Sequence, residues 1–227
     1  MDFQKHPEIE ELRKTARARA VALAVIRRGR AAGIPERFLR INEKDFRSLL
    51  CEKYQDADKL SSFVYNEANS LLTKPFIAID GGDVASRKKA GYALLFRIIA
   101  CRLFGFYVEC THLAHKLYSI KSTDEINRND MAESLKSYDV LFISEFSKSI
   151  FKPHWESGEF IDEILSHREN RCRPTIISFS EPMKGLDDLN RAAAENGLDK
   201  NCGVYLTNLM YKEKQTDDVF RVRVKVV

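Results

Sequence analysis

The sequence predicts an α/β fold, a parallel β-sheet flanked by helices, preceded by a short helical N-terminal arm. Short, fully apolar segments alternate with helical patterns from Lys74 onward, which is typical of strands buried on both faces of a parallel sheet. The tail from Val219 to Val226 alternates apolar and basic residues and predicts a half-exposed edge strand. With 227 residues the chain can bury one sizeable core, so we expect an arm over residues 1–32 and one α/β domain over residues 33–227.

The arm is expected to be a basic helix from Glu8 to Arg30. Its apolar stripe is narrow, so it must dock on the core or on a partner. Residues 12–40 contain nine basic residues and one acid, a run that attracts phosphate backbones or acidic protein surfaces. A solvated helix face is the alternative. The candidate DNA- or partner-binding residues are Arg13, Arg17, Arg27, Arg28 and Arg30.

Helices and strands are expected in alternation after the arm. A broad helical segment is predicted from Glu43 to Leu72, interrupted near residues 54–56. The predicted strands are residues 76–80, 106–110, 139–143 and 174–178. The predicted helices are residues 91–104, 113–120, 131–136 and 160–168, with a polar connection at residues 124–130.

The composition is that of an ordinary globular protein and gives no sign of secretion or of zinc. The five cysteines are scattered and form no C-x-x-C pair, so we expect a reducing cytosol and no zinc ribbon. His112 and His115 lie near Cys110, but a metal site needs more converging ligands, and no metal site is expected. The polar start of the chain and the lack of an apolar run of roughly 20 residues predict a soluble, cytoplasmic protein.

Residues 82–89 have the spacing of a Walker A motif, G-x-x-x-x-G-K-[ST]. They follow an apolar run and precede a helical pattern, which is the strand–loop–helix context of that motif. Gly82 takes the first glycine position and Lys88 the lysine position. Arg87 replaces the second glycine, and Lys89 replaces the serine or threonine that binds magnesium. The spacing is either coincidental or belongs to a nucleotide-binding fold that has lost hydrolysis.

The order of further segments resembles one family. A Gly-Ile-Pro-x-Arg-Phe segment begins at Gly33, the Walker A-like segment follows, and Ser137–Phe146 and Arg173–Ser180 come next. This order resembles the DnaC/DnaI/IstB family, AAA+ ATPases that load replicative helicases or assist transposases, over residues 33–212. The resemblance implies a P-loop NTPase fold of the AAA+, ASCE type.

The resemblance also implies a nucleotide site from which this sequence departs. The implied nucleotide-binding residues are Gly82, Arg87, Lys88, Lys89, Ser144 and Ser180. Lys88 could meet a β- or γ-phosphate, whereas the ammonium of Lys89 has no lone pair to give to magnesium. Lys89 either replaces the charge of the cation or belongs to an inert basic loop.

The acidic positions of the implied site are also changed. Ser144 stands where the family has the acid that organises magnesium, and Glu145 keeps the acid that polarises the attacking water. Glu145 is therefore the one catalytic candidate, vestigial or divergent, and the alternative is a structural acid paired with an arginine. Ser180 replaces a sensor asparagine and Asn208 an arginine finger. Together these departures predict that hydrolysis is absent while the fold remains. ATP or ADP stays a candidate ligand, with magnesium binding weakened.

Three functions follow from the resemblance. The first is a catalytically inactive AAA+ protein that binds a DnaB-type replicative helicase through its basic arm. Single-stranded DNA is a further candidate ligand, because Trp155 could stack on a base, although burial would also explain that tryptophan. The second is a divergent ATPase that acts as a helicase loader or transposition helper and in which Lys88 and Glu145 still take part in hydrolysis. The third is a non-enzymatic antagonist or scaffold of another AAA+ ring, and a homo-oligomer is compatible with any of them.

Overall fold

The computed structural model describes residues 7–53, 56–74, 76–113, 125–146, 156–179 and 219–225. The chain begins with α1, Pro7–Ala31, followed by a 3₁₀ turn at Glu36–Phe38. Helices α2, Glu43–Leu49, and α3, Ala57–Asn66, come next, and a second 3₁₀ segment spans Ala68–Thr73. The predicted helical segment over residues 43–72 is thus three pieces, because Asn42 and Asp56 each cap a new helix with a side-chain oxygen.

The second half of the chain builds the sheet. Its elements are β1 (Phe76–Gly81), α4 (Val84–Ala100), β2 (Gly105–Glu109), α5 (Glu125–Ser137), β3 (Val140–Phe146), α6 (Glu156–Asn170), β4 (Thr175–Phe179) and β5 (Val219–Val224). The strand order is β2-β3-β4-β1-β5, and every pair of neighbours is parallel. The predicted parallel sheet is therefore confirmed. The carboxyl ends of all five strands lie at one edge, which is where side chains that follow them can meet.

Helices cover both faces of the sheet, as the fully apolar strands require. On one face α4 packs through Leu94, Leu95 and Ile98 in a cluster that includes Ile79 and Phe142. On the other face the cluster joins Leu141 and Ile177 to Leu135 of α5 and Leu165 of α6. Gly91 lets α4 approach the sheet, because a Cβ at this position would lie 2.0 Å from Cζ of Phe142.

Strand β5 lies at an edge of the sheet, as its alternating sequence predicts. Val222 and Val224 are buried, whereas Arg223 between them is partly exposed. The outer side of this strand is covered in part, because Leu50 forms an antiparallel bridge with Val224. Two backbone hydrogen bonds flank the bridge, from Cys51 N to Arg223 O at 2.9 Å and from Lys225 N to Leu49 O at 2.9 Å.

Several predicted boundaries are wrong. Helix α4 includes residues 84–89, which were predicted to be a loop, and it ends at Ala100 rather than at residue 104. Helix α6 begins at Glu156 rather than at residue 160, and β3 ends at Phe146 rather than at residue 143. Helix α5 includes residues 125–130, which were expected to be a polar connection, because a polar helix carries little apolar periodicity. Of the helix predicted at residues 113–120, only residue 113 is described, at the end of a helical turn over residues 110–113. Within the described residues, no helix is both long and apolar enough to span a bilayer.

Candidate functional site

The candidate site begins where β1 turns into α4. Asp83 is the N-cap of α4, and its Oδ1 accepts a hydrogen bond from the backbone N–H of Ser86 at 2.6 Å. Its backbone carbonyl accepts from the N–H of Arg87 at 3.0 Å. The hydrogen bonds from Ser86 lower the pKa of Asp83, which is therefore ionised at neutral pH. A helix N-terminus attracts anions, and here a carboxylate of the chain itself already lies there.

Two glycines make the turn that precedes this cap. Gly81 has φ +76° and Gly82 has φ +56°, a region that favours glycine. The end of β5 also lies against them. A Cβ on Gly82 would lie 2.8 Å from the carbonyl oxygen of Lys225, and one on Gly81 would lie 2.7 Å from that of Val224. Backbone conformation and packing against β5 therefore account for both glycines.

The side chain of Arg87 fills the space beside this turn. Its Nη1 donates to the carbonyl oxygens of Gly81 at 3.1 Å and Gly82 at 2.8 Å. Its Nε and Nη2 donate to Oε1 and Oε2 of Glu145 at 3.2 Å and 2.8 Å. The two side chains are 4% and 9% exposed, so the ion pair is almost fully removed from water. The guanidinium thus joins the ends of β1 and β3.

Glu145 is held in an unusual backbone conformation. Its φ is +56°, which is uncommon for a residue with a side chain and costs free energy. The pairing of β3 with β4 changes register between Ile143 and Phe146, so Glu145 lies at an irregularity of the strand. Its N–H donates to Oγ of Ser178 at 3.0 Å, and that hydroxyl lies 3.4 Å from Oε1. Ser178 of β4 thus contacts both the backbone and the carboxylate of Glu145.

Lys88 points to the neighbouring strand β2. Its Nζ donates to Oε2 of Glu109 at 2.8 Å, and both side chains are partly exposed. Burial alone would lower the pKa of Lys88, but the hydrogen bond and charge of Glu109, with the charge of Glu145, outweigh burial and raise it. The same hydrogen bond lowers the pKa of Glu109. Both groups are charged at neutral pH.

The remaining predicted positions are dispersed around this ion pair. The hydroxyl of Ser144 lies 3.0 Å from that of Tyr107. Lys89 is partly buried in α4 and forms no ion pair with a described acid. Ser180, Asn208 and Trp155 lie outside the described residues. Arg87 is therefore in direct contact with Gly82 and Glu145. Lys88 contacts Glu109 instead, and Ser144 contacts Tyr107.

Sequence reasoning missed three residues of this cluster, Asp83, Glu109 and Ser178. Two of them had a signal. Aspartate is a preferred N-cap residue, and Asp83 follows two glycines and precedes residues of good helix propensity. Glu109 ends an apolar strand, and the carboxyl ends of parallel strands share one edge. The contact of Ser178 with Glu145 depends on a strand irregularity for which the sequence has no signal.

The basic residue Arg223 of β5 is bound to the adjacent strand. Its Nε and Nη2 donate to the carboxylate of Asp80 at 3.0 Å and 2.8 Å, and Asp80 is 1% exposed. Asp80 and Arg223 are register partners in the sheet.

Cys110 is buried and His112 is exposed. Among the described residues, no group of three or more histidine, cysteine, aspartate or glutamate side chains could hold a metal ion.

The basic residues of α1 lie apart from this cluster. Arg17 and Arg27 are exposed, and Arg28 is partly exposed. Arg30 donates to both oxygens of Glu36, at 2.6 Å and 2.8 Å. The side chain of Arg13 lies outside the described part of the chain. The described side chains of this group therefore share a helix but no contact with Arg87.

Comparison with known proteins finds likeness in structure alone. No family model matches the chain, and no curated protein matches its sequence. The DnaC helicase loader superposes with a TM-score of 0.56 at 15% identity over 83% of this chain and 99% of that one. DnaI superposes with a TM-score of 0.56 at 13% identity over 84% and 90% of the two chains.

A third similar structure is AMPPCP-bound DnaA from Aquifex aeolicus. It superposes with a TM-score of 0.54 at 12% identity over 81% of this chain. This chain spans only 50% of the length of that DnaA chain. At these identities the comparisons show the fold alone, a five-stranded α/β fold similar to that of the DnaC, DnaI and DnaA structures.

Proposed function

We propose that this chain is a non-hydrolysing protein of the AAA+ fold that acts in DNA replication by binding a DnaB-type replicative helicase. One observation carries the first half of the proposal. The guanidinium of Arg87 donates two hydrogen bonds to the carboxylate of Glu145, at the ends of β1 and β3. In an active member of the family that this chain resembles, the glycine at the position of Arg87 leaves room for phosphate. The acid at the position of Glu145 polarises the attacking water.

The residues around this pair are a poor fit to a magnesium-bound nucleotide. Glu145 accepts two hydrogen bonds from Arg87, which leaves it little capacity to orient a water molecule. The carboxylate of Asp83 at the start of α4 repels a phosphate. Lys89 and Ser144 offer magnesium an ammonium and a neutral hydroxyl. Since phosphoryl transfer depends on positioning and charge, these changes together remove most of the rate.

The proposed partner rests on likeness in fold. The two loader-type structures, DnaC and DnaI, are covered almost to their full length, whereas DnaA is covered by half. The coverage of 99% of the DnaC chain supports a partner of the kind that its name as a helicase loader indicates. We place this binding in the cytoplasm, where replication proteins of this class act.

The first half of the proposal is tested by calorimetric titration with ATP and ADP, with and without magnesium. We expect no heat and no thermal stabilisation for the wild-type chain. Lys88→Ala and Arg102→Ala, which changes an exposed residue in the turn after α4, should both behave as wild type. Nucleotide binding lost in Lys88→Ala and kept in Arg102→Ala would overturn this half. Hydrolysis in addition would establish the divergent ATPase instead.

The second half is tested by co-elution with a purified DnaB-type hexamer in size-exclusion chromatography, without nucleotide. We expect a complex with the helicase. Co-elution with an intact AAA+ loader but not with the helicase would overturn the proposed partner and favour an antagonist of a loader ring. Because both chromatography experiments, with the helicase and with the loader, are run without nucleotide, their outcome is independent of the calorimetry.

A further inference from the structure

The part of α1 from Lys14 to Leu23 stands clear of the described core. Every side chain from Lys14 to Leu23 is exposed, and the apolar Val21 and Leu23 are 52% and 56% exposed. Burial begins at Ala24, and Ile26 is the residue of this helix that packs against the core. The arm is therefore anchored at its C-terminal end and offers its preceding turns to solvent.

The composition of α1 explains why these turns are helical without packing. Alanine occupies alternate positions from Ala16 to Ala24, and alanine has the highest helix propensity. Most helices in proteins depend on burying an apolar face, and an isolated helix is marginal in water. Helix propensity rather than packing thus stabilises these turns, so their exposed side chains are available to bind a ligand.

The charge of this surface has one sign. From Lys14 to Ala31 the helix carries six basic residues and no acid. Arg30 is neutralised by Glu36. The other five form no ion pair with any acid in the described part of the chain: Lys14, Arg17, Arg19, Arg27 and Arg28. At a rise of about 1.5 Å per residue they are distributed along about 20 Å of helix.

We propose that α1 binds the phosphate backbone of duplex DNA without reading its sequence. Five cations along a rod complement a polyanion with one charge per about 1.7 Å of axis. The alanines keep the helix slender, and a B-form major groove, about 12 Å wide, admits a helix. The inference goes beyond the proposed function, and neither depends on the other.

Two other nucleic acids fit this helix less well. Proteins that hold single strands stack bases on aromatic side chains, and α1 contains no aromatic residue over Pro7–Ala31. Duplex RNA has a narrow major groove that excludes a helix. The chemistry of α1 therefore favours duplex DNA over both.

The test measures fluorescence anisotropy of the full chain with a 20-bp mixed DNA duplex, the same duplex in RNA and a 20-nt oligothymidylate. The variant is R17Q/R19Q/R28Q. The control, K44Q/R102Q/R171Q, removes three exposed charges elsewhere. Circular dichroism and thermal midpoints verify that both variants fold, because glutamine retains helix propensity.

We expect the log–log salt dependence of duplex DNA binding to have a slope of about −4 to −5, from about 0.9 per phosphate contact. The α1 variant should weaken duplex DNA binding at least tenfold and reduce the slope by about 3. The control should change affinity less than twofold. Unchanged binding by the α1 variant, tighter binding of the single strand or of duplex RNA, or no duplex DNA binding at low salt would each overturn the proposal.

Discussion

The guanidinium of Arg87 and the carboxylate of Glu145 form a buried, two-fold hydrogen-bonded ion pair between residues that are 58 positions apart in sequence. Arg87 lies in the first turn of α4 and Glu145 lies near the end of β3, so the pair connects a helix and a strand that are far apart in sequence. The pair is a structural contact at the edge of the sheet where the resemblance implies a nucleotide site.

Removing one member of this pair should destabilise the protein strongly. Arg87→Met or Glu145→Met leaves the other charge buried, which costs about 3–5 kcal/mol of unfolding free energy. The double variant should lose less than the sum of the two, because neither charge is then left without a partner. Urea denaturation of the four proteins measures the cycle. Additive losses would show that the two residues stabilise the fold independently.

Gly82→Ala should destabilise the protein more than Gly33→Ala. Both glycines have positive φ, +56° and +83°, so alanine is strained at either. Only at residue 82 would the new Cβ clash, at 2.8 Å from Lys225 O, whereas the nearest atom at residue 33 lies at 3.7 Å. We expect a loss of about 1–2 kcal/mol at residue 33 and about 1 kcal/mol more at residue 82.

The measurement is urea denaturation in buffer without nucleotide. Equal losses for the two alanine variants would indicate that contact with β5 is not what requires Gly82.

The ion pair of Lys88 and Glu109 should stabilise the fold only over a middle range of pH. Lys88→Met should lose about 0.5–1 kcal/mol at neutral pH, as expected of a partly exposed pair. The pKa of Glu109 is lowered from 4.5 by its hydrogen bond with Lys88, so the loss should vanish as pH falls below 4.5 and through that lowered value. The pKa of Lys88 is raised above 10.5, so the loss should also vanish as pH rises from 10.5 through that raised pKa.

Urea midpoints of wild type and Lys88→Met, measured from acid to alkaline pH, follow this difference. Glu109→Gln should show the same loss at neutral pH. A difference between wild type and Lys88→Met that does not decrease toward acid pH would argue against the pair.

Arg168→Met should be among the most destabilising single substitutions in α6. This arginine is 0% exposed, and its guanidinium donates to the carbonyl oxygens of Leu135, Tyr138 and Pro174 at 2.9 Å, 2.7 Å and 2.8 Å. Its Nε donates to Oγ1 of Thr175 at 2.9 Å. Methionine would remove all of these hydrogen bonds from a buried site, at a cost of at least about 3 kcal/mol in unfolding free energy.

The control is Arg171→Met, in the turn that follows α6. Arg171 is exposed, so the same chemical change should stay within about 0.5 kcal/mol. Thermal and urea denaturation compare the two. Similar losses would mean that the hydrogen bonds of Arg168 contribute little to stability.

Much of the fold could be predicted because local patterns specify it. The apolar runs before Gly82 and around Phe142 are short, lack polar breaks and alternate with helices, and this pattern is sufficient for a parallel sheet. The tail containing Arg223 was predicted to be an edge strand from its alternation alone. Helix ends were predicted less well, because capping by Asp83 depends on which of several polar residues takes the N-cap position.

The sequence predicted residues that lie at this edge of the sheet, but not their contacts. Spacing identified Arg87 and Lys88, and strand ends identified Ser144 and Glu145. From the sequence, Glu145 was either a catalytic candidate or a structural acid paired with an arginine, and no acid partner was predicted for Lys88. Lys88 binds Glu109 and Arg87 binds Glu145, and both acids belong to strands that only the folded sheet brings alongside.

By itself the sequence determined the order of elements, the parallel sheet, the basic arm and the residue types at the edge of the sheet. Those features depend on periodicity and composition, which are properties of neighbouring residues. The tertiary structure decided that Arg87 closes on Glu145 and that Gly82 lies against Lys225. It also decided that α1 leaves its basic turns exposed. These outcomes depend on the distance between segments remote in sequence, which is fixed only when the strands align side by side and burial selects the partner of each charge.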